Sequence, residues 1–243
     1  MAKGKLFIGT SGYSYDHWKG VFYPTDIPSS KWLEHYIKHF STVELNNTFY
    51  RLPKPEAFKS WGKRVPAKFI YAVKASRFIT HIKRLNDCRQ PLKLFLSRAK
   101  FLGKKLGPIL YQLPPKWKCN VERLESFVKL LPKGGIYVFE FRDPSWFNDE
   151  VYSILKKNKL SFCVYSMPGG ECPHVVTSKV VYIRMHGGSV LYGSNYSEKE
   201  LKDIASKIRV HLKNGLDVYI YFNNDARGYA VRNAKKLKRL LKA

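Results

Sequence analysis

Short apolar runs alternate along the chain with longer segments of helical period. Strand-length runs fall at residues 6–10, 42–46, 69–74, 108–112, 136–142, 161–165, 180–186 and 218–223. Amphipathic segments lie between most of them. They are marked by Trp32, Leu33, Tyr36, Ile37 and Phe40, by Leu92, Phe95, Leu96, Ala99 and Leu102, and by Leu124, Phe127, Val128 and Leu131. Leu201, Ile204, Ala205, Ile208 and Leu212 form a stripe down one helix face, and Ser197-Glu-Lys-Glu200 before it reads as a capping box. Ala230, Ala234, Leu237 and Leu241 mark a last helix. Eight strands alternating with helices predict an α/β chain, a single (β/α)8 TIM-type barrel domain over residues 1–243. A doubly wound sheet would carry a glycine-rich phosphate turn after its first strand. Gly9-Thr-Ser-Gly12 lacks the GxGxxG spacing and leads into Tyr13-Ser-Tyr15 instead of a helix. Residues 166–178, rich in Pro and Gly, are too short for a full helix, so an irregular or missing helix is expected there.

Period two within the strands sorts their faces. Val43 and Leu45 oppose Glu44 and Asn46, and Tyr137, Phe139 and Phe141 oppose Glu140 and Arg142. Val181, Ile183 and Met185 oppose Arg184 and His186, while Val218, Ile220 and Phe222 oppose Tyr219, Tyr221 and Asn223. Lys74 and Gln112 end two further strands. In a barrel the apolar face meets the helices and the other points inward, and these polar residues sit toward the C-terminal ends, where barrel enzymes place their sites. The charges of Lys74, Arg142 and Arg184 nearly cancel those of Glu44 and Glu140. Two readings stay open, a functional pocket and an internal ion-pair network. The desolvation cost of five charges favours the pocket.

Loops extend the set. Arg77, His81, Lys83 and Arg84 follow the third strand, and Tyr13, Tyr15, His17 and Trp18 follow the first. Phe49 and Tyr50 follow the second, and Asn224 and Asp225 the eighth. An aromatic and basic rim suits a ring-bearing anion, although loop aromatics also pack as lids. Asp225 is equally suited to capping the last helix.

The 243 residues carry 44 Lys and Arg against 18 Asp and Glu, a formal charge of +26. The excess is uneven, with 14 basic against 2 acidic residues in 51–100 and 11 against 3 in 201–243. Such a field draws polyanions, or simply keeps a protein dispersed. With 44% hydrophobic residues, intrinsic disorder is excluded. No apolar run approaches a membrane span and no secretory signal is evident, so a cytoplasmic protein without membrane association is expected. Cys88, Cys119, Cys163 and Cys172 show neither disulfide-framework nor zinc-knuckle spacing.

Glu44 and Glu140 are the one inward carboxylate pair, and their cationic neighbours favour the ionised base or nucleophile. His186, before Gly187-Gly188, has the context of a general acid or base. Three cations nearby oppose a divalent ion, so no metal ligands are assigned, and the sequence assigns no cofactor. The first expectation is a hydrolase or lyase acting on an anionic small molecule, phosphate-bearing or nucleotide-like, at the C-terminal mouth. Lys74, Arg142 and Arg184 would hold the anion, with Asn46, Gln112 and Asn223 orienting it. Glu44 or Glu140 would be the base and His186 the proton carrier, with Tyr13, Arg77, His81 and Asn224 at the rim. The alternative is a non-catalytic nucleic-acid binder using the basic exterior from Arg51 to Lys105 and the helix face of Lys235 and Arg239.

Several motifs together resemble the YecE-like family, a domain of unknown function. They include Ile8-Gly-Thr-Ser-Gly-Tyr-Ser-Tyr15, Val43-Glu-Leu-Asn-Asn-Thr-Phe-Tyr-Arg-Leu-Pro53 and Ala72-Val-Lys-Ala-Ser-Arg-Phe-Ile-Thr-His81. Phe139-Glu-Phe-Arg-Asp-Pro-Ser-Trp146, Tyr182-Ile-Arg-Met-His-Gly187 and Tyr221-Phe-Asn-Asn-Asp225 continue the likeness, which runs from about Phe7 to Leu241. The resemblance implies a TIM-type barrel and supplies no reaction.

Overall fold

The computed structural model describes residues 3–170 and 172–242. Its strands are β1 (Leu6–Thr10), β2 (Thr42–Leu45), β3 (Ile70–Lys74), β4 (Leu106–Gln112), β5 (Tyr137–Glu140), β6 (Ser161–Ser166), β7 (Val180–Met185) and β8 (Asp217–Phe222). They follow the order β1-β8-β7-β6-β5-β4-β3-β2 in one eight-stranded sheet, and the alternating helices complete an α/β, (β/α)8 TIM-type fold. All eight expected strands are present, four of them shorter than the apolar alternation suggested, β3 by one residue at its start. β2 stops at Leu45, β5 at Glu140 and β7 at Met185, so Asn46, Arg142 and His186 lie just past strand ends.

The described chain divides into two compact units. The first comprises Met1–Glu44, Val164–His174 and Lys179–Ala243. Here β1 pairs with β8 and β8 with β7, Phe7 opposite Tyr219 and Arg184 opposite Tyr221. Phe7 stacks on Tyr219 with centroids 4.4 Å apart. Gly9 passes so close to the Thr42 carbonyl that a Cβ would collide with it. The helices here are α1 (Trp32–Tyr36), α7 (Glu198–Lys213) and α8 (Tyr229–Leu241). The capping box at Ser197 and Glu200 forms, and the α7 stripe buries Leu201, Ala205, Ile208 and Leu212.

The second unit comprises Leu45–Cys163 and Val175–Ser178. β3, β4, β5 and the start of β6 pair in turn, with Gln112 opposite Glu140. Its helices are α2 (Asn47–Tyr50), α3 (Pro55–Lys63), α4 (Arg89–Ala99), α5 (Val121–Val128) and α6 (Asp149–Lys157). Sequence periodicity found α4 and α5 but not α3 or α6. Each of those two spans 9 residues, with only Phe58 and Trp61, or Val151, Ile154 and Leu155, buried. Their starts carry other marks, a Pro in the first turn of α3 and an Asn148 cap on α6.

No helix connects β6 to β7 among the described residues, as expected for 166–178. In the first unit a cavity of about 310 Å³ lies against the two strands, with Val164, Ile183, Met185 and Ile204 in its walls. His174 stands across from α7, its Nε2 2.9 Å from that of His211. Among the described residues no helix is long and apolar enough to cross a membrane.

Candidate functional site

In the first unit the inward positions of β2 and β7 bring a carboxylate and a guanidinium together. Glu44 and Arg184 are 0% and 1% exposed, and both carboxylate oxygens are engaged. Oε2 accepts from Arg184 Nε at 3.0 Å and from the Tyr182 hydroxyl at 2.6 Å. Oε1 accepts from Arg184 Nη2 at 2.7 Å and from the Ser11 hydroxyl. Burial by itself raises the Glu44 carboxyl, but the Arg184 charge and the hydrogen bonds from Arg184, Ser11 and Tyr182 outweigh it and hold the group below the usual range. Burial, then the Glu44 charge, pushes the Tyr182 phenol well up, so it remains a donor.

The remaining end of Arg184 reaches His186. Nη1 lies 3.3 Å from His186 Nε2, and the Asn223 amide lies 3.0 Å from Nδ1. A guanidinium only donates, so Nε2 is the accepting nitrogen and the neutral ring carries its proton on Nδ1. The Asn223 atom at Nδ1 is its amide nitrogen, also a donor, so a ring protonated on Nδ1 requires that amide turned to offer its oxygen. His186 is fully buried. The turn after it depends on Gly187, whose φ of 112° and close approach to the Val190 carbonyl leave no room for a side chain. Ser11, Tyr182 and Thr42, which bonds the Tyr221 hydroxyl at 2.6 Å, were absent from the expected set. Ser11 shares the parity of Phe7 and Gly9, and Tyr182 that of Arg184, a signal the alternation already contained.

Of the other expected residues in this unit, Tyr13 is half-buried and its carbonyl accepts from the Tyr23 hydroxyl. Asn224 is fully buried, and its amide nitrogen donates to the Ser194 carbonyl and to Asn233, so it serves the interior. Asp225 makes no side-chain cap on the following turn, contrary to the capping expectation. Its Oδ2 lies 3.4 Å from His17 Nε2, and its carbonyl accepts from Trp18 Nε1 at 2.9 Å.

In the second unit Glu140 is fully buried and pairs with Arg142 Nε. Cys163 Sγ lies 3.7 Å from the other carboxylate oxygen. Arg142 thus has a carboxylate partner, as Arg184 has. Of the three cations expected to hold an anion, two already face carboxylates. Lys74, at the end of β3, places Nζ 4.1 Å from the centre of the Phe49 ring, a cation–π contact. His81 meets the same ring edge-on at 4.9 Å, with Nδ1 2.9 Å from the Thr80 hydroxyl. It sits in a π-turn, Phe78–Ile82, closed by Lys83 N donating to the Phe78 carbonyl. Burial, then the charges of Lys74, Arg77 and Arg84, push His81 down to about 4, against a smaller opposing pull from Glu140. Tyr50, Phe78 and Ile82 are exposed nearby in sequence, at 74%, 43% and 61%. Arg77 is exposed, and Asn46 and Gln112 are partly so.

Comparison with known proteins places this arrangement among relatives. The family model described as "Protein of unknown function DUF72" matches residues 7–243. The UPF0759 protein YunF of Bacillus subtilis is 27% identical over 97% of this chain and 94% of its own length. The UPF0759 protein YecE of Escherichia coli K12 is 32% identical over 58% of this chain and 50% of its own. A DUF72 family protein from Thermotoga maritima, known from its crystal structure, superposes with a TM-score of 0.89 at 29% identity, covering 98% of this chain and 100% of that one.

Proposed function

The chain belongs to the DUF72 protein family, and on that premise we propose that it binds and processes a phosphate-bearing, ring-containing ligand. The observation that carries the binding arm is the field around His81 in the second unit. A half-buried imidazole driven to about 4 by burial and by Lys74, Arg77 and Arg84 marks a place where positive charge exceeds negative. Phe49 beside it offers a face or an edge to a ring. Lys74 and Arg77, whose charges both act on His81, are the cations assigned to the anion. The test titrates the protein with adenosine monophosphate and with adenosine. Tighter binding of the monophosphate, weakened at least about tenfold in Lys74→Ala, supports the reading. Equal binding of both probes, or of neither, overturns it.

The processing arm rests on the first unit and is tested separately. Glu44 spends its oxygens on Arg184, Ser11 and Tyr182, so it acts as the positioning residue and His186 as the proton carrier. Phosphorus NMR on a panel of nucleotides and sugar phosphates would detect turnover. His186→Gln is expected to lower it by about 10²–10⁴-fold with ligand binding unchanged.

A second reading, non-catalytic nucleic-acid binding, is supported by a groove of about 700 Å³ between α4 and α5. Arg89, Lys93, Lys100 and Lys129 edge it. Oligonucleotide affinity that falls steeply with salt and survives Lys74→Ala would favour it.

A further inference from the structure

α8 carries Lys235 and Lys238 on the side that meets α1, and between the helices lies the Phe22 ring, all within the first unit. Lys235 Nζ stands 4.8 Å from the centre of that ring. His35 meets it edge-on at 5.1 Å, and His39 lies 5.2 Å away. The two imidazoles are themselves 5.1 Å apart, one helical turn along α1 and its extension. Lys238 Nζ donates to the His39 carbonyl at 2.9 Å and lies 5.9 Å from the Phe40 ring. Lys235, His35 and His39 therefore gather around the Phe22 ring, and Lys238 adjoins them through the His39 carbonyl and the Phe40 ring.

Their charges are not balanced locally. Burial lowers both imidazoles, the charges of Lys38 and Lys235 on His35 and of Lys235, His35, Lys238 and Lys38 on His39 lower them further, and only a hydrogen bond between His35 and the Phe22 backbone acts the other way. Burial and Arg239 likewise lower Lys235. Like charges held at fixed spacing, half out of water, repel one another, and a bound anion relieves that repulsion.

We propose that the seam between α1 and α8 is a phosphate-binding site, in which His35, His39, Lys235 and Lys238 surround a phosphate group above Phe22. Imidazole N–H groups and ammonium groups are strong donors to phosphate oxygens, and their convergence suits a tetrahedral oxyanion better than a planar carboxylate. The site is separate from the cluster after β3 and stands whether or not the reading of that cluster does. The phosphate can belong to a free polyphosphate or to a nucleic-acid backbone. Because anion binding raises both imidazoles, affinity increases as pH falls, with Lys38, Lys235, Lys238 and Arg239 the cations facing them.

Imidazole NMR on the full chain tests this, with tripolyphosphate in one arm and a short single-stranded oligonucleotide in the other. The His35 and His39 signals are expected to shift and to titrate at higher pH in at least one arm. The arm that responds at lower concentration identifies the source. Lys235→Ala with Lys238→Ala should weaken the response by about tenfold or more, the effect of losing a charge-assisted hydrogen bond, while Lys74→Ala leaves it unchanged. Silence of both imidazoles at saturating probe overturns the proposal. So does a response lost in Lys74→Ala but retained in the α8 double variant.

Discussion

Arg184 Nη1 lies 3.3 Å from His186 Nε2, and because a guanidinium only donates, that approach favours the ring proton on Nδ1. The same guanidinium is clamped at its other end by Glu44, so it presents a fixed donor to the imidazole. Nitrogen-15 NMR should find His186 in the Nδ1–H tautomer at neutral pH. In Arg184→Lys the shorter, unforked cation cannot serve both partners, and a mixture of tautomers is expected. A wild-type ring protonated on Nε2 would contradict the assignment.

Glu44→Gln leaves Arg184 1% exposed without its counter-charge. The loss of stability in urea should be about 3–5 kcal/mol. Replacing both partners, Glu44→Gln with Arg184→Met, should recover part of that loss, because no unpaired charge then stays buried. A double variant less stable than the single one would show that the pair contributes more than its own neutralisation.

His81 makes the fold sensitive to acid. Its folded value of about 4 lies below the 6.5 of an unperturbed imidazole, so between those values the unfolded chain binds the extra proton. Stability attributable to this residue is therefore intact above about pH 6.5 and declines as pH falls toward 4. His81→Asn should flatten the melting temperature across that window, and an unchanged slope would assign the acid sensitivity elsewhere.

The Ser197 hydroxyl accepts from Glu200 N at the start of α7, and the Glu200 carboxylate returns to Ser197 N. Ser197→Ala should cost about 1 kcal/mol in chemical denaturation, as for other helix N-caps. Ser197→Gly should cost less.

The strand count, the class of fold and the absence of a helix between β6 and β7 were legible because period two and a run of Pro and Gly are local signals. Glu44, Arg184 and His186 were legible for the same reason, each falling opposite an apolar face. Partner choice was not. Arg142, two residues beyond Glu140 and just past the end of β5, pairs with it, whereas Glu44 finds Arg184 from a strand 140 positions away. Tyr182 shares the face of Arg184 by period two, but its partner comes from a distant strand, where its hydroxyl donates to Glu44. Ser11 was passed over because Gly9-Thr-Ser-Gly12 was weighed as a phosphate turn, not by the parity of β1. Short α3 and α6 carry too few apolar positions for periodicity to register.

The stretch after β6 has a mechanical consequence. Every other connection between successive strands carries an α-helix, with its own ladder of backbone bonds and buried side chains. Around 172–178 no helix forms; His174 meets His211 of α7, and the Thr177 and Ser178 hydroxyls bond to Leu160, Ser161 and Phe162. Burial lowers both His174 and His211, so acid must force charge onto rings that sit 5.1 Å apart. Such a fastening releases without the cooperative loss of the rest. A sparing dose of protease should nick the chain there first, and sooner in mildly acidic buffer than in neutral.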